Sequence, residues 1–409
     1  VWLERTLVTQ THERPSRALV GILLLTFVES LGTILLERGL YFYTHSRFGF
    51  SRGENLSLAF SFGVAYVIGA LVSQRLADAL GERRVLFINL LVLLGAHLTL
   101  AYRPTAFAIV AFFPFIALLQ GMKWPLVETF VSAGRTPDVM FRLVGYFNVS
   151  WALSVPLGLA VSGPLIASKQ PSALFVLAAA LNVVGLLLLF LFPKKPQHLE
   201  ADHPARPSPA VLARFSALLV SSRWTMLASY SLLFLMAPLM PDVFTNLGLS
   251  VQGATLAASW LDVVRVLTFA SLGLFTAWQG KPVLLASVVL ALPLGFGLSL
   301  FAPNLGIALL GETIFGLASA LTYYSALLYA LVVRNAAVDA GGAHEGLIGL
   351  GFAIGPLLGL IAGWIEPSLG SRLLSLGVIA GPFILLCSVS SLKQLRRGTV
   401  SGEEPAHPS

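Results

Sequence analysis

Gln74-Arg75-Leu76-Ala77-Asp78-Ala79-Leu80-Gly81-Glu82-Arg83-Arg84-Val85-Leu86 is a short charged stretch wedged between two long apolar runs, 56–76 and 85–102. Its arginines and acids are costly in hydrocarbon. Each flanking run is long enough to cross it, because a helix rising 1.5 Å per residue spans a core of about 30 Å in about 20 residues. The stretch therefore reads as a polar turn at one membrane face. Gly81 permits the reversal, Asp78 can cap a helix and accept charge-assisted bonds, and the arginines fix the turn to its side of the bilayer.

The same reading extends outward along the chain. Apolar runs near 18–43, 56–76, 85–102, 105–131, 143–167, 172–192, 224–245, 254–278, 283–302, 305–333, 347–365 and 373–392 predict an all-α polytopic membrane protein with 12 transmembrane helices. Composition agrees: 56% hydrophobic residues and 11% charged, where a soluble domain has about 25% charged. The net charge of +7 is scattered between apolar runs rather than gathered in a stripe with interleaved aromatics, which excludes nucleic acid as a partner. One cysteine, Cys387, excludes a disulfide framework or a cysteine metal cluster within the chain. No metal and no cofactor is expected. The first run is too long for a signal peptide, contains Glu29 and lacks a small-residue cleavage site, so it is retained as a helix.

Most of the 26 Lys and Arg residues fall in one alternating set of loops and in the two tails, while the other loops hold only Arg47, Arg52, Arg103, Lys169 and Arg372. The positive-inside rule then places both termini in the cytoplasm and the protein in the cytoplasmic membrane. The longest polar stretch, rich in proline and charge, divides the chain. Expected segments are a cytoplasmic tail (1–16), a six-helix bundle (17–192), a cytoplasmic linker (193–223), a second six-helix bundle (224–392) and a tail (393–409). The halves echo one another weakly: Gly158 and Gly163-Pro164 correspond to Gly351, Gly355-Pro356 and Gly359. Small residues at such spacing are read as helix-packing faces.

The turn at 74–86 resembles the signature loop of the major facilitator superfamily through Leu76, Ala77, Asp78, Gly81, Arg83, Arg84 and Leu86. Gln74 replaces that loop's first glycine, and Ala79 and Glu82 replace two of its basic residues. The resemblance covers nearly the whole chain. It implies two pseudo-symmetric six-helix bundles rocking about a midplane site, with Asp78, Gly81, Arg83 and Arg84 as the gating loop. It also implies that spans one, four, seven and ten line the cavity, making Glu29, Glu37, Arg38, Lys123, Asp242 and Glu312 candidate cavity residues. The antiporter glycine-proline pattern is incomplete at Val155-Pro156-Leu157-Gly158, so export is not signalled.

Charges inside membrane spans are functional candidates by default. Glu29 lies near mid-depth in span one with no base nearby in its own helix, which makes it the first candidate for proton carriage. Arg265 in span eight reaches a similar depth, so the two are expected to pair. Asp262 and Arg265, three apart, suit either a structural pair or a substrate site. Glu37 and Arg38 point about 100° apart on an ideal helix and cannot share a face well, so one could serve the cavity while the other seeks lipid headgroups. Glu128 reads as a group that caps or snorkels at the inner boundary. Trp124, Asn148, Trp151 and Tyr323 could add polar edges to the cavity, and His97 reads as a packing residue.

The expected function is secondary active transport of a small polar or charged solute, coupled to protons, by a monomer in the lipid bilayer. A mixed-charge cavity suits zwitterions or organic ions better than neutral sugars. Glu37-Arg38, Lys123 before Pro125, and Gly311-Glu312 partly resemble the charged set of proton-coupled oligopeptide transporters. Ile34 and Gly39 depart from it, so peptide uptake is the alternative, together with efflux of drugs or metabolites. An enzyme is not expected, because no nucleophile-base pair or repeated carboxylate set appears. A sensor or scaffold without transport is the remaining rival. Glu29→Gln is expected to abolish pH-driven movement with folding intact.

Overall fold

The computed structural model describes residues 17–132, 137–196, 209–275, 277–333, 338–365 and 369–400. The first half comprises α1 (Arg17–Glu37), α2 (Gly39–Phe48), α3 (Arg52–Leu80), α4 (Glu82–Tyr102), α5 (Ala106–Ser132), α6 (Pro137–Ala167) and α7 (Ala173–Leu188). The second comprises α8 (Pro209–Met236), α9 (Met240–Asn246), α10 (Val251–Ala258), α11 (Trp260–Leu274), α12 (Pro282–Leu300), α13 (Leu305–Val333), α14 (Val338–Ile365) and α15 (Leu369–Val400). Three spans are broken helices: α1 with α2, α8 with α9, and α10 with α11. Eleven spans among the described residues satisfy both length and hydropathy for membrane crossing, and α15 completes two sets of six.

Local chemistry sets the boundaries. Gly49, at φ +67°, ends α2 in the left-handed region open to glycine. Ser51 and Glu54 close a reciprocal capping box at the start of α3. Gly81, at φ +84°, makes the reversal into α4. Between these points the helices are apolar over their outward faces, as Leu71, Phe107, Leu290 and Leu274 illustrate, because lipid rather than water is the solvent there. Several buried hydroxyls are satisfied locally: Thr26, Thr33 and Thr322 donate to carbonyls four residues earlier.

Within each half, helices approach closely where glycine removes a side chain. A Cβ at Gly121 of α5 would strike the Tyr66 carbonyl of α3, and one at Gly355 of α14 would strike the Ser231 carbonyl of α8. Gly158, Gly351 and Gly359 likewise sit against Ile34, Tyr230 and Leu235, each within its own half.

The halves meet along two seams, α3 against α14 and α6 against α10 and α11. The first runs from Leu56 and Gly359 at one end to Ala70 and Gly342 at the other. The second is closed by Gly163 against Thr255 at one end and by Gly145 against the Gly273 Cα, 3.2 Å from a Cβ built on Gly145, at the other. One end carries the α3–α4 turn and Lys194, Lys195 and Lys281; it is called the basic end below. There Tyr324 Oη donates to the Phe141 carbonyl across the halves at 3.2 Å. At the opposite end Arg52 pairs with Asp242. Contacts between the halves are thus made at both ends.

Several boundaries differ from expectation. α15, expected to end at 392, runs to Val400 and takes in the first part of the expected second tail. Residues 209–223, expected in the linker, form the first four turns of α8, whose polar start is carried by the rest of the helix. Span one continues past residue 43 to Phe48, and span eleven begins at Val338 rather than 347. The expected first tail and part of the linker lie outside the described residues.

Candidate functional site

A cavity of about 90 Å³ lies between the halves. Thr33, Glu37, Arg38, Tyr66, Trp124 and Trp151 face it from the first half; Tyr230, Arg265, Tyr323, Glu345 and Phe352 face it from the second. Arg38 sits at the joint between α1 and α2, with φ −120°, and its guanidinium crosses to the carboxylate of Asp262 on α11. Asp262 also accepts from Arg265 Nη1 at 3.0 Å, one turn along the same helix. One buried acid thus holds two buried arginines, one from each half.

Arg265 and Arg38 both line the cavity, whereas Asp262 does not. Arg265 Nη2 donates to the Tyr230 hydroxyl at 3.4 Å, and Nε has no partner. The guanidinium carbon stands 5.0 Å from the Trp151 ring centroid and 5.8 Å from that of Phe269, so cation–π attraction holds it without consuming its donors. Trp151 packs on Tyr323 at 5.0 Å, and Tyr323 lies 6.2 Å from Tyr230. A cation with open donors backed by aromatic faces can take an anionic headgroup while the rings take an apolar body.

A second network is buried wholly in the first half. Lys123 Nζ bonds Glu29 Oε2 at 2.9 Å, and Asn182 Nδ2 donates to both oxygens of Glu29 at 3.0 Å. His97 Nδ1 meets Asn182 Oδ1 at 2.5 Å, and Lys123 lies 4.5 Å from the Trp124 ring. Neither Glu29 nor Lys123 lines the cavity. The expected pairing of Glu29 with Arg265 is therefore corrected: each has another partner. Equal depth does not fix azimuth, and Glu29 faces α5 and α7.

Glu37, Arg38, Trp124, Arg265 and Tyr323 of the sequence candidates do come together in the cavity. That Glu37 and Arg38 both line it overturns the expected division between cavity and headgroups; the joint at Arg38 breaks the helical geometry on which that division rested. The extension to Phe48 places Arg38 ten residues from the end of its span, and Asp262 eleven from the start of α10, which explains their common depth. Asn148 lies buried one turn before Trp151, whose Nε1 donates to its Oδ1 at 3.2 Å. Glu312 is buried on α13 beside Leu261, within electrostatic reach of Arg38 and Asp262.

Asp242 lies away from these groups, in a crevice of about 790 Å³ at the opposite end that it shares with Arg52. In the α3–α4 turn, Gln74 Nε2 donates to Asp78 Oδ1 at 2.6 Å. Gly81, Arg83 and Arg84 line a crevice of about 410 Å³ with Lys194 and Lys195. The structure adds residues that the sequence did not single out: Tyr66, Tyr230, His344 and Glu345. Glu345 and His344 precede residue 347, where span eleven was expected to begin, and so read as loop. Glu128 is also corrected: it does not snorkel but is buried against α14, where Gly341 approaches its carboxylate.

Two six-helix halves around a central cavity of mixed charge define a class, the polytopic solute carriers. The chain belongs to the Major Facilitator Superfamily, whose family model matches residues 16–360; it is a membrane transporter and not an enzyme. No curated protein matches it in sequence. Among solved structures it is similar to the human organic anion transporter MFSD10 (TETRAN), with 16% identity, TM-score 0.68 and coverage of 93% of this chain and 100% of that one. It is also similar to a bacterial homologue of the human lysosomal transporter Spinster, inward-facing and unoccupied (14% identity, TM-score 0.68, 96% and 100% covered). A variant of the Escherichia coli fucose:proton symporter FucP follows, with 15% identity, TM-score 0.59 and 93% and 98% covered. At these identities the likeness is one of fold.

Proposed function

We propose that this carrier moves a small organic anion, a carboxylate on an apolar or aromatic body, by alternating access coupled to protons. The observation that carries the reading is Arg265: a buried cavity arginine with an unpartnered Nε, framed by Trp151, Tyr230 and Tyr323. The solute's carboxylate would compete with Asp262 for Arg265 and Arg38, so that binding on one side loosens the tie between the halves. Similarity to an organic anion transporter and to a proton symporter supports the class without fixing the solute. Glu37 on the same wall favours a second reading, a zwitterion whose ammonium meets that carboxylate. The basic end is read as cytoplasmic by the positive-inside rule, with the protein in the cytoplasmic membrane.

The test is thermal stabilisation of the purified protein by a panel of aliphatic and aromatic carboxylates, amino acids, dipeptides, sugars and nucleosides. Carboxylates should raise the melting midpoint of the wild type and leave Arg265→Gln unmoved. Stabilisation by a neutral sugar or nucleoside that persists in Arg265→Gln would overturn the proposal.

A further inference from the structure

Below the cavity, toward the basic end, two carboxylates from opposite halves confront each other. Glu128 on α5 and Glu345 on α14 lie with one oxygen each, and one ring nitrogen of His344, within 4.8 Å of one another. All three residues are nearly inaccessible to solvent. The Tyr66 hydroxyl, from α3, donates to Glu345 Oε2, and His344 Nε2 is buried without a partner. Among the described residues no lysine or arginine forms an ion pair with Glu345. Carboxylates are acceptors only, so two of them facing each other in a dry seam form a bond only when one carries a proton.

We propose that Glu128 and Glu345 form the proton-binding site of this carrier, sharing one proton that holds the basic end shut. The proton lies between an oxygen of Glu128 and one of Glu345, and the Tyr66 hydroxyl fixes the receiving carboxylate. Its loss leaves two adjacent anions on α5 and α14, the helices that seal this end through Gly341 against Pro125 and Glu128, and their repulsion drives the seal apart. Among the described residues, charged and titratable groups face the pair from several helices. Tyr66 stands on α3 and Glu37 on the wall of α1; Tyr230 and Arg223 come from α8, Arg265 from α11, Tyr323 from α13 and His344 from α14 itself. Arg265 is already engaged by Asp262, and the Tyr323 ring packs on His344 at 4.9 Å. A divalent metal is the poorer occupant, because Tyr66 already uses one lone pair of Glu345 and three donors fall short of the four to eight such ions take.

This inference deepens the proton-coupled reading and rests on it, but its test needs no solute. Spin labels at Ala79→Cys and Lys281→Cys, in a Cys387→Ser background, report the separation of the halves at the basic end. In liposomes the distance should lengthen between about pH 5 and about pH 9 and shorten again on reversal, since buried carboxyls hold a proton up to about pH 8–9. The Glu128→Gln/Glu345→Gln variant, whose amide can supply the missing donor, should stay short at both pH values while eluting as the wild type does. An unchanging wild-type distance, or an unaltered pH response in the double variant, would overturn the proposal. So would opening by a chelator at constant pH, which would make the site a metal site.

Discussion

Asp262 is a single buried acid shared by two buried arginines. It neutralises Arg38 from one half and Arg265 from the other, and breaking a buried pair leaves a charge uncompensated at a cost of about 3–5 kcal/mol. Asp262→Asn should therefore lower the melting midpoint and abolish transport together, as thermal unfolding and flux would report. Glu29 is read differently. Lys123, Asn182 and His97 enclose it in the first half, so its role is assigned to holding α1, α5, α7 and α4 together. Glu29→Gln should cost about 3–5 kcal/mol by stranding Lys123, and Glu29→Gln/Lys123→Met should recover most of that loss in a denaturation series. Loss of pH-driven flux in Glu29→Gln at wild-type stability would instead support proton carriage by Glu29.

Between elements, backbone contact through glycine separates packing from motion. Gly121 lets α5 touch α3 inside one half, whereas Gly63 lets α3 touch Phe352 and Ala353 of α14 across the seam. Gly121→Val should lower the melting midpoint. Gly63→Val should leave it closer to wild type while reducing transport at least tenfold, because it wedges an interface that must open and close. Most of this fold is legible in the sequence: lengths of apolar runs, Gly81 at a turn and the polar divide all act locally. The site is legible only in part. Charges in spans announce themselves, but the partner each one finds depends on azimuth and on the joint at Arg38, which no count of residues supplies. Glu345 stayed hidden because α14 extends nine residues earlier than its apolar run, as polar residues buried against the other half join the helix.

For the whole molecule, contacts between the halves at both ends of the cavity are those that opening at either end must break. The Arg52–Asp242 pair ties α3 to α9 at the end away from the α3–α4 turn. It is partly exposed, so its loss should shift the opening equilibrium rather than unfold the protein. Arg52→Gln should make a cysteine at Thr33 in the cavity wall, in a Cys387→Ser background, react several-fold faster with an impermeant thiol reagent applied from that end. An unchanged rate would show that the pair does not gate this entrance.

The central claim is that the cavity between the halves carries an organic anion on Arg265 across the bilayer with a proton. Flux in proteoliposomes holding a pH-sensitive dye, with aliphatic and aromatic carboxylates presented one at a time, tests it most directly. Carboxylate-dependent acidification is expected in the wild type and its loss in Arg265→Gln. Proton flux driven by a neutral solute and retained in Arg265→Gln would contradict it, as would silence toward every carboxylate in vesicles with verified insertion.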